Sequence, residues 1–385
     1  MPLFPSKFIS KLPTVGNSIF SVMSKLAVEN NAINLSQGFP GFDCSPELIA
    51  LVNKYMLKGN NQYAPMIGVK ELREAIAIKT AELYTTAYNP ETEITITAGA
   101  TQAIFTAILS VVREEDEVII IEPAYDCYAP AVELAGGKPV FFQLNPADFS
   151  IQWAEFQKLI NPRTKMIIIN SPHNPTGAIL SAIDLQKLEK LTNKTDIVIL
   201  SDEVYEHIIF DGYEHQSVAR FPNLANRSFI ISSFGKTYHT TGWKIGYCLA
   251  PEYLMAEFRK VHQYNVFSVN TPIQYAYAEF IQNKDLYLQL NDFYKTKRDF
   301  FNGLFSGSKF TFEPSSGTYF QLLNYKTISN DKDVDFAKHL TVNHGVASIP
   351  VSVFYHKTFD QKLLRFCFAK ENDELEKAAE RIIKI

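Results

Sequence analysis

Two lysines eight residues apart, Lys236 and Lys244, stand in the stretch ISSFGKTYHTTGWKIGY (231–247), which is otherwise written for burial. An ammonium taken out of water either pairs with an anion or gives up its proton, and a lysine that gives it up is a nucleophile and a base. Loop lysines reaching into solvent would need neither. Three further segments raise the same question. In ILSDEVYEHI, Asp202 closes a strongly apolar run with Tyr205 three residues on; a buried carboxylate calls for a cation, whereas an Asp capping a following helix does not. NSPHNPTGA (170–178) sets two X-Pro bonds within six residues. Such a loop is stiff, can hold cis peptides and fixes the direction of the Asn174 amide, unless it is a plain surface turn. ITAGATQA places Gly99, Ala100 and Thr101 between a strand and a helix. Free N–H groups and the helix dipole there favour an anion such as phosphate, although a tight turn alone would also use the glycine. Four such segments in this order argue against solvent-facing lysines.

All four are expected at strand ends, where open α/β sheets bind their ligands. Continuous apolar runs at EITITA (93–98), EVIIIEP (117–123), PVFFQL (139–144), KMIIIN (165–170), DIVILSDEVY (196–205) and SFIISSFG (228–235) predict strands covered on both faces. Between them, ATQAIFTAILSVVREED and SAIDLQKLEKLTNKT carry apolar residues at helical spacing. The alternation predicts an α/β fold with a mainly parallel sheet. Beyond about residue 250 come long helical patterns, including QYAYAEFIQNKDLYLQLNDFYKTKRDFFNGLF, and then the short strands TYFQLLN and KLLRFCFA, which predict a smaller α+β domain joined by a long helix. The first forty-odd residues have weak periodicity, and SQGFPGFD marks an irregular segment suited to lie across a cleft.

A chain of 385 residues, 46% apolar and 13% aromatic, can bury one large core or two smaller ones, and its length favours two domains. A net charge of −4 with no single-sign run implies neither a nucleic acid nor an anionic membrane as partner. Cys44, Cys127, Cys248 and Cys367 are far apart, so no metal site or disulfide framework is expected and a cytoplasmic setting fits. The opening MPLFPSKFISKLP lacks a continuous apolar stretch, and no 18-residue apolar run follows, so neither export nor a membrane span is expected.

SFGKTYHTTGWKIGY, SPHNPTG, SDEVYE and LLRFCFAK together resemble the class I/II aminotransferases, pyridoxal 5'-phosphate enzymes of fold type I. QGFP (37–40), QYAPMIGVKELREAIA (62–77) and VHQYNVFSVNTP (261–272) are similar to the methionine and kynurenine aminotransferases in particular. The resemblance implies a large domain at 46–275 and a small one at 276–385, with 1–45 contributing to the small domain and cleft. It implies that Lys236 bonds to the cofactor aldehyde and, once released, moves the proton between substrate Cα and the cofactor. Asp202 matches the partner of the pyridine nitrogen, Asn174 and Tyr205 the residues on the phenolic oxygen, and Tyr125 the ring stacked on the pyridine. Gly99, Ala100, Thr101, Ser233 and Lys244 match the phosphate site, with Lys244 where many relatives carry arginine. Tyr63 matches a tyrosine reaching the phosphate from a neighbouring subunit, which implies a homodimer of two-fold symmetry. Arg365 matches the guanidinium that grips the substrate carboxylate, and Gly38 a backbone donor to the same group.

The same resemblance makes Phe20, Phe39, Tyr63, Tyr125 and Phe267 the side-chain pocket, aromatic and uncharged. With no second arginine for a distal carboxylate, aspartate is a poor donor and methionine is favoured, with phenylalanine, histidine, glutamine or kynurenine tolerated. Ser268 and Phe20 depart from the histidine and tryptophan usual in kynurenine-selective relatives. Kynurenine–oxoglutarate transamination and cysteine-conjugate β-lyase activity are the alternatives.

Overall fold

The computed structural model describes residues 10–13 and 15–385. Residues 1–9, on which most of the reading of the opening rests, lie outside the described residues, as does Thr14. Among the described residues no helix is long and apolar enough to cross a membrane.

The centre is a seven-stranded sheet in the order Ile94–Thr97, Gly246–Leu249, Ser228–Ser233, Val198–Asp202, Thr164–Asn170, Glu117–Glu122, Lys138–Gln143. Every neighbouring pair is parallel except those made by Gly246–Leu249, which runs antiparallel to both its neighbours. The continuous apolar runs have the cause expected of them. Val118 and Ile120 pack into one hydrophobic cluster and Ile119 and Ile121 into the other; Met166 and Ile168 part in the same way from Ile167 and Ile169. Alternate side chains thus enter opposite layers, each burial contributing about 1.5–3 kcal/mol. One layer is built by helices Ala100–Val111 and Glu252–Asn265 through Ile104, Ile108, Met255 and Phe258. A second sheet of three antiparallel strands, Ile349–Pro350, Leu363–Cys367 and Phe320–Asn324, stands beside it, and the short strand Ile33–Asn34 pairs with Val346–Ala347.

Three expectations are corrected. Gly246–Leu249 reads in sequence as the tail of an aromatic turn and is instead an inner strand; at Gly246 a Cβ would come within 2.7 Å of the Ser232 carbonyl oxygen, which is why a side chain is excluded. The long helical pattern after residue 270 is three helices, Thr271–Phe280, Asp285–Leu288 and Leu290–Leu304, broken near Asn283 and Gln289. The weakly periodic start contains a regular helix, Ile19–Glu29, which buries Met23 and Ala27 and packs Ile19, Phe20 and Leu26, partly buried, against the main core.

Candidate active site

The C-terminal ends of the parallel strands converge on one cavity, lined by Ala100, Thr101, Ile104, Tyr125, Asn170, Asn174, Asp202, Val204, Tyr205 and Lys236. Lys236 sits in the single helical turn Phe234–Thr237 that follows strand Ser228–Ser233. Its Nζ donates to the Gly38 carbonyl at 2.9 Å and to the Tyr319 hydroxyl at 3.0 Å. Burial pushes its pKa down to about 8, with the cations Arg365 and Lys244 adding to the fall. The amine is therefore far easier to deprotonate than an ordinary lysine.

Asp202 ends its strand beside that amine on the cavity wall and is buried. The sequence called for a cation here; the partner is a hydroxyl, Tyr128 donating to Oδ2 at 2.6 Å, with the Val204 N–H 3.4 Å from Oδ1. No helix follows for it to cap. Burial raises its pKa to about 6, against the opposing pull of the Tyr128 bond. Asn170 braces the region: its amide donates to the Asp202 carbonyl at 2.8 Å and its Oδ1 accepts the Asn174 N–H at 2.8 Å. Both X-Pro bonds of that loop, Ser171–Pro172 and Asn174–Pro175, are cis. Tyr205 is buried and meets the Tyr319 ring edge-on at 5.1 Å.

On the anion side, Gly99 has φ 81° and precedes helix Ala100–Val111, so the first N–H groups of that helix face the cavity. A Cβ on Gly99 would lie 3.2 Å from Lys244 Nζ, which brings the ammonium to that helix terminus. Lys244 is exposed, so only one of the two lysines is withdrawn from water. Ser233 is the residue before the Lys236 turn, and the Thr101 hydroxyl lies 3.5 Å from that of Tyr125.

Arg365, 1% exposed in strand Leu363–Cys367, donates from Nη1 to Asn174 Oδ1 at 2.7 Å and from Nη2 to the Ser36 carbonyl at 3.0 Å. Both partners are uncharged, and its Nε has none among the described residues. Its guanidinium stacks 3.9 Å from the Phe320 ring centroid, with Phe20 at 5.3 Å, and burial lowers its pKa to about 10. A buried cation left so is suited to an incoming carboxylate, which can take two bonds at once. Phe39, 43% exposed, covers the edge with Lys370 Nζ 4.6 Å from its ring centroid.

The structure does not bring Tyr63 and Phe267 to this cavity. They pair with each other edge-on at 5.5 Å on the outside of the chain, 82% and 47% exposed. Two residues escaped the sequence reading. Tyr128 was within reach, since it lies three residues after Tyr125 in one segment; Tyr319 had no local cue.

A model of the family "Aminotransferase class I and II" matches residues 30–382, nearly the whole chain. The chain belongs to the class I and II aminotransferases. This aminotransferase is 48% identical over 382 residues to the methionine aminotransferase of Escherichia coli (strain K12), covering 99% of this chain and 98% of that one. It is 33% identical to kynurenine–oxoglutarate transaminase 1 of Rattus norvegicus, with 97% of each covered. Among solved structures, Escherichia coli YbdL, described with a methionine aminotransferase function, superposes with a TM-score of 0.96 at 48% identity and full coverage of both chains. N-succinyldiaminopimelate aminotransferase of Mycobacterium tuberculosis superposes with 0.94 at 36% identity, covering 98% of this chain and 100% of that one. The enzyme thus has the aminotransferase fold and catalyses transamination.

Proposed function

We propose that this aminotransferase binds pyridoxal 5'-phosphate and transfers the amino group of methionine, with other apolar or aromatic amino acids as secondary donors, to a 2-oxo acid. Family members use this cofactor, and the side chains around the cavity support the same reading. A reactive amine and a buried carboxylate open onto one space, and a helix N-terminus with a nearby ammonium supplies an anion site. The observation that carries the reading is Arg365, a buried guanidinium with only neutral partners beside an amine of lowered proton affinity.

Lys236 would bond to the cofactor aldehyde, Asp202 would face its ring nitrogen, Asn174 and Tyr205 its phenolic oxygen and Tyr125 its ring face. Ala100, Thr101, Ser233 and Lys244 would hold the phosphate. When bound, the protonated ring takes up the electron pair released at the substrate Cα. The chain's own work is then to hold and move protons. Asp202, as a carboxylate above about pH 6, keeps the ring nitrogen protonated. Lys236, neutral above about pH 8, would take the proton from the substrate Cα and hold it on Nζ. Arg365 fixes the α-carboxylate so that Cα–H faces that amine.

Phe20, Phe39 and Tyr125 offer rings and no charge to a side chain, and a thioether gains about 0.3–1.5 kcal/mol per ring contact. The 48% identity to a methionine aminotransferase supports the same choice. Tyr63 and Phe267 would complete the pocket from a second copy of the chain, making the working unit a homodimer. The test is an initial-rate panel of amino donors against several 2-oxo acids. Methionine should lead in kcat/KM with aspartate far behind; kynurenine or aspartate in first place would contradict the reading.

A further inference from the structure

The segment around Gly38 is pinned at both ends by backbone bonds, Leu35 N–H to the Ala347 carbonyl at 3.0 Å and Gly41 N–H to the Ala369 carbonyl at 2.8 Å. Between the pins its carbonyls turn toward side chains of the site. Ser36 accepts from Arg365 at 3.0 Å and Phe39 from Lys370 at 3.3 Å. Gly38 accepts twice, from Lys236 Nζ at 2.9 Å and from the Tyr319 hydroxyl at 2.6 Å, and that hydroxyl itself accepts from Lys236 at 3.0 Å. Amine, hydroxyl and carbonyl close a triangle. The Tyr319 ring is fully buried and is fixed by Tyr205 at 5.1 Å, Phe320 at 5.0 Å and Tyr294 at 5.7 Å, so the hydroxyl is held in place from its own side.

We propose that Tyr319 is a positioning residue that holds the Gly38 carbonyl over Lys236 and couples the 36–39 segment to that amine. The proposal rests on reading Lys236 as the cofactor-bonding lysine. While the amine is free, the segment has two donors on Gly38; while the amine is engaged in a covalent bond, Tyr319 holds the carbonyl alone. The hydroxyl also stabilises the ammonium by accepting from it, opposing the burial that favours the neutral form. The other titratable groups around Lys236 are Asp202, Arg365, Lys244, Cys367 and Tyr205, and Tyr319→Phe leaves all five in place.

The test compares the full-length wild type with Tyr319→Phe in two measurements, and maps the residue labelled when loaded wild type is reduced with borohydride. In Tyr319→Phe, exchange of the Leu35 and Gly41 amides that pin the segment should quicken by roughly 3- to 10-fold, as the loss of one hydrogen bond at Gly38 loosens it. The pH midpoint for uptake of pyridoxal phosphate should fall below that of the wild type. Label on Lys236 with either measurement unchanged overturns the role of Tyr319 alone. Label elsewhere overturns the reading of Lys236 and this proposal with it. Should Tyr319→Phe not fold, Lys236→Met removes the other donor from Gly38: quicker exchange at Leu35 and Gly41 supports the coupling, and unchanged exchange overturns it.

Discussion

Asp202 and Lys236 are shifted in opposite senses by the same cause. Removal from water raises the carboxyl to about 6 and lowers the amine to about 8, in each case favouring the neutral form. The carboxylate is rescued by a neutral donor rather than an ion pair, and that choice has a measurable consequence. The folded chain holds the Asp202 proton up to about pH 6, whereas the unfolded chain releases it near 3.8, so this group's contribution to stability is complete below pH 3.8 and is lost as pH rises through about 6. Tyr128→Phe removes the 2.6 Å bond that favours the carboxylate and should move the upper end of that window higher. Denaturant midpoints of the cofactor-free chain across pH 4–8 read it, and an unmoved window would mean that Tyr128 does not tune Asp202. Of the pair at this scale, the aspartate was legible because it ends an apolar run. Its partner was not singled out, because a tyrosine among aromatic residues carries no mark of its bond.

The strands aim the chemistry, and what lies behind them keeps the aim. Glu206, from the SDEVYE segment, is buried behind the Lys236 strand with Lys79 at 2.7 Å, Tyr84 at 2.6 Å, Ser232 at 2.5 Å and Tyr247 at 3.1 Å. Burial opposes its charge, but Lys79 and these donors outweigh it and hold the carboxyl far below the usual range. Ser232 and Tyr247 pair across adjacent strands, so this network clamps helix Lys70–Tyr84 to the sheet directly before Ser233 and Lys236. Lys79→Met leaves a buried carboxylate without its cation and should cost about 3–5 kcal/mol in a denaturant titration; a loss below about 1 kcal/mol would show the pair is dispensable. Six of the seven central strands were legible as apolar runs, most of them buried along nearly their whole length, with Lys138–Gln143 at the sheet edge only partly covered. Gly246–Leu249 was not: four residues, one of them glycine, leave too short a run to separate from the turn before it. Helix Ile19–Glu29 was missed because its eleven residues stand between Pro- and Gly-bearing stretches that hide a short helical period.

At the scale of the whole molecule, one chain assembles most of its site and leaves two aromatic residues outside. Tyr63 and Phe267 are exposed together, a pair of rings that water alone does not favour. Sequence similarity could name Tyr63 as a site residue, but only the folded chain reveals that it cannot serve its own cavity. Mixing Tyr63→Ala with Lys236→Ala should regain activity that neither variant has in full, since a mixed dimer carries one site with both residues intact; no regain after subunit exchange would place Tyr63 outside the neighbour's site. Tyr319, 83 residues from Lys236 along the chain, was illegible because nothing local records a contact made only when the second sheet docks on the first. A single lysine, hydrogen-bonded to Gly38 and Tyr319 in the cavity that Asp202 also lines, is expected to carry the cofactor. The most direct measurement reduces the pyridoxal-phosphate-loaded protein with borohydride, digests it and sequences the labelled peptide. One label is expected, on Lys236 within ISSFGKTYH. A label on Lys244 or any other lysine, or a loaded protein that takes none, would contradict it.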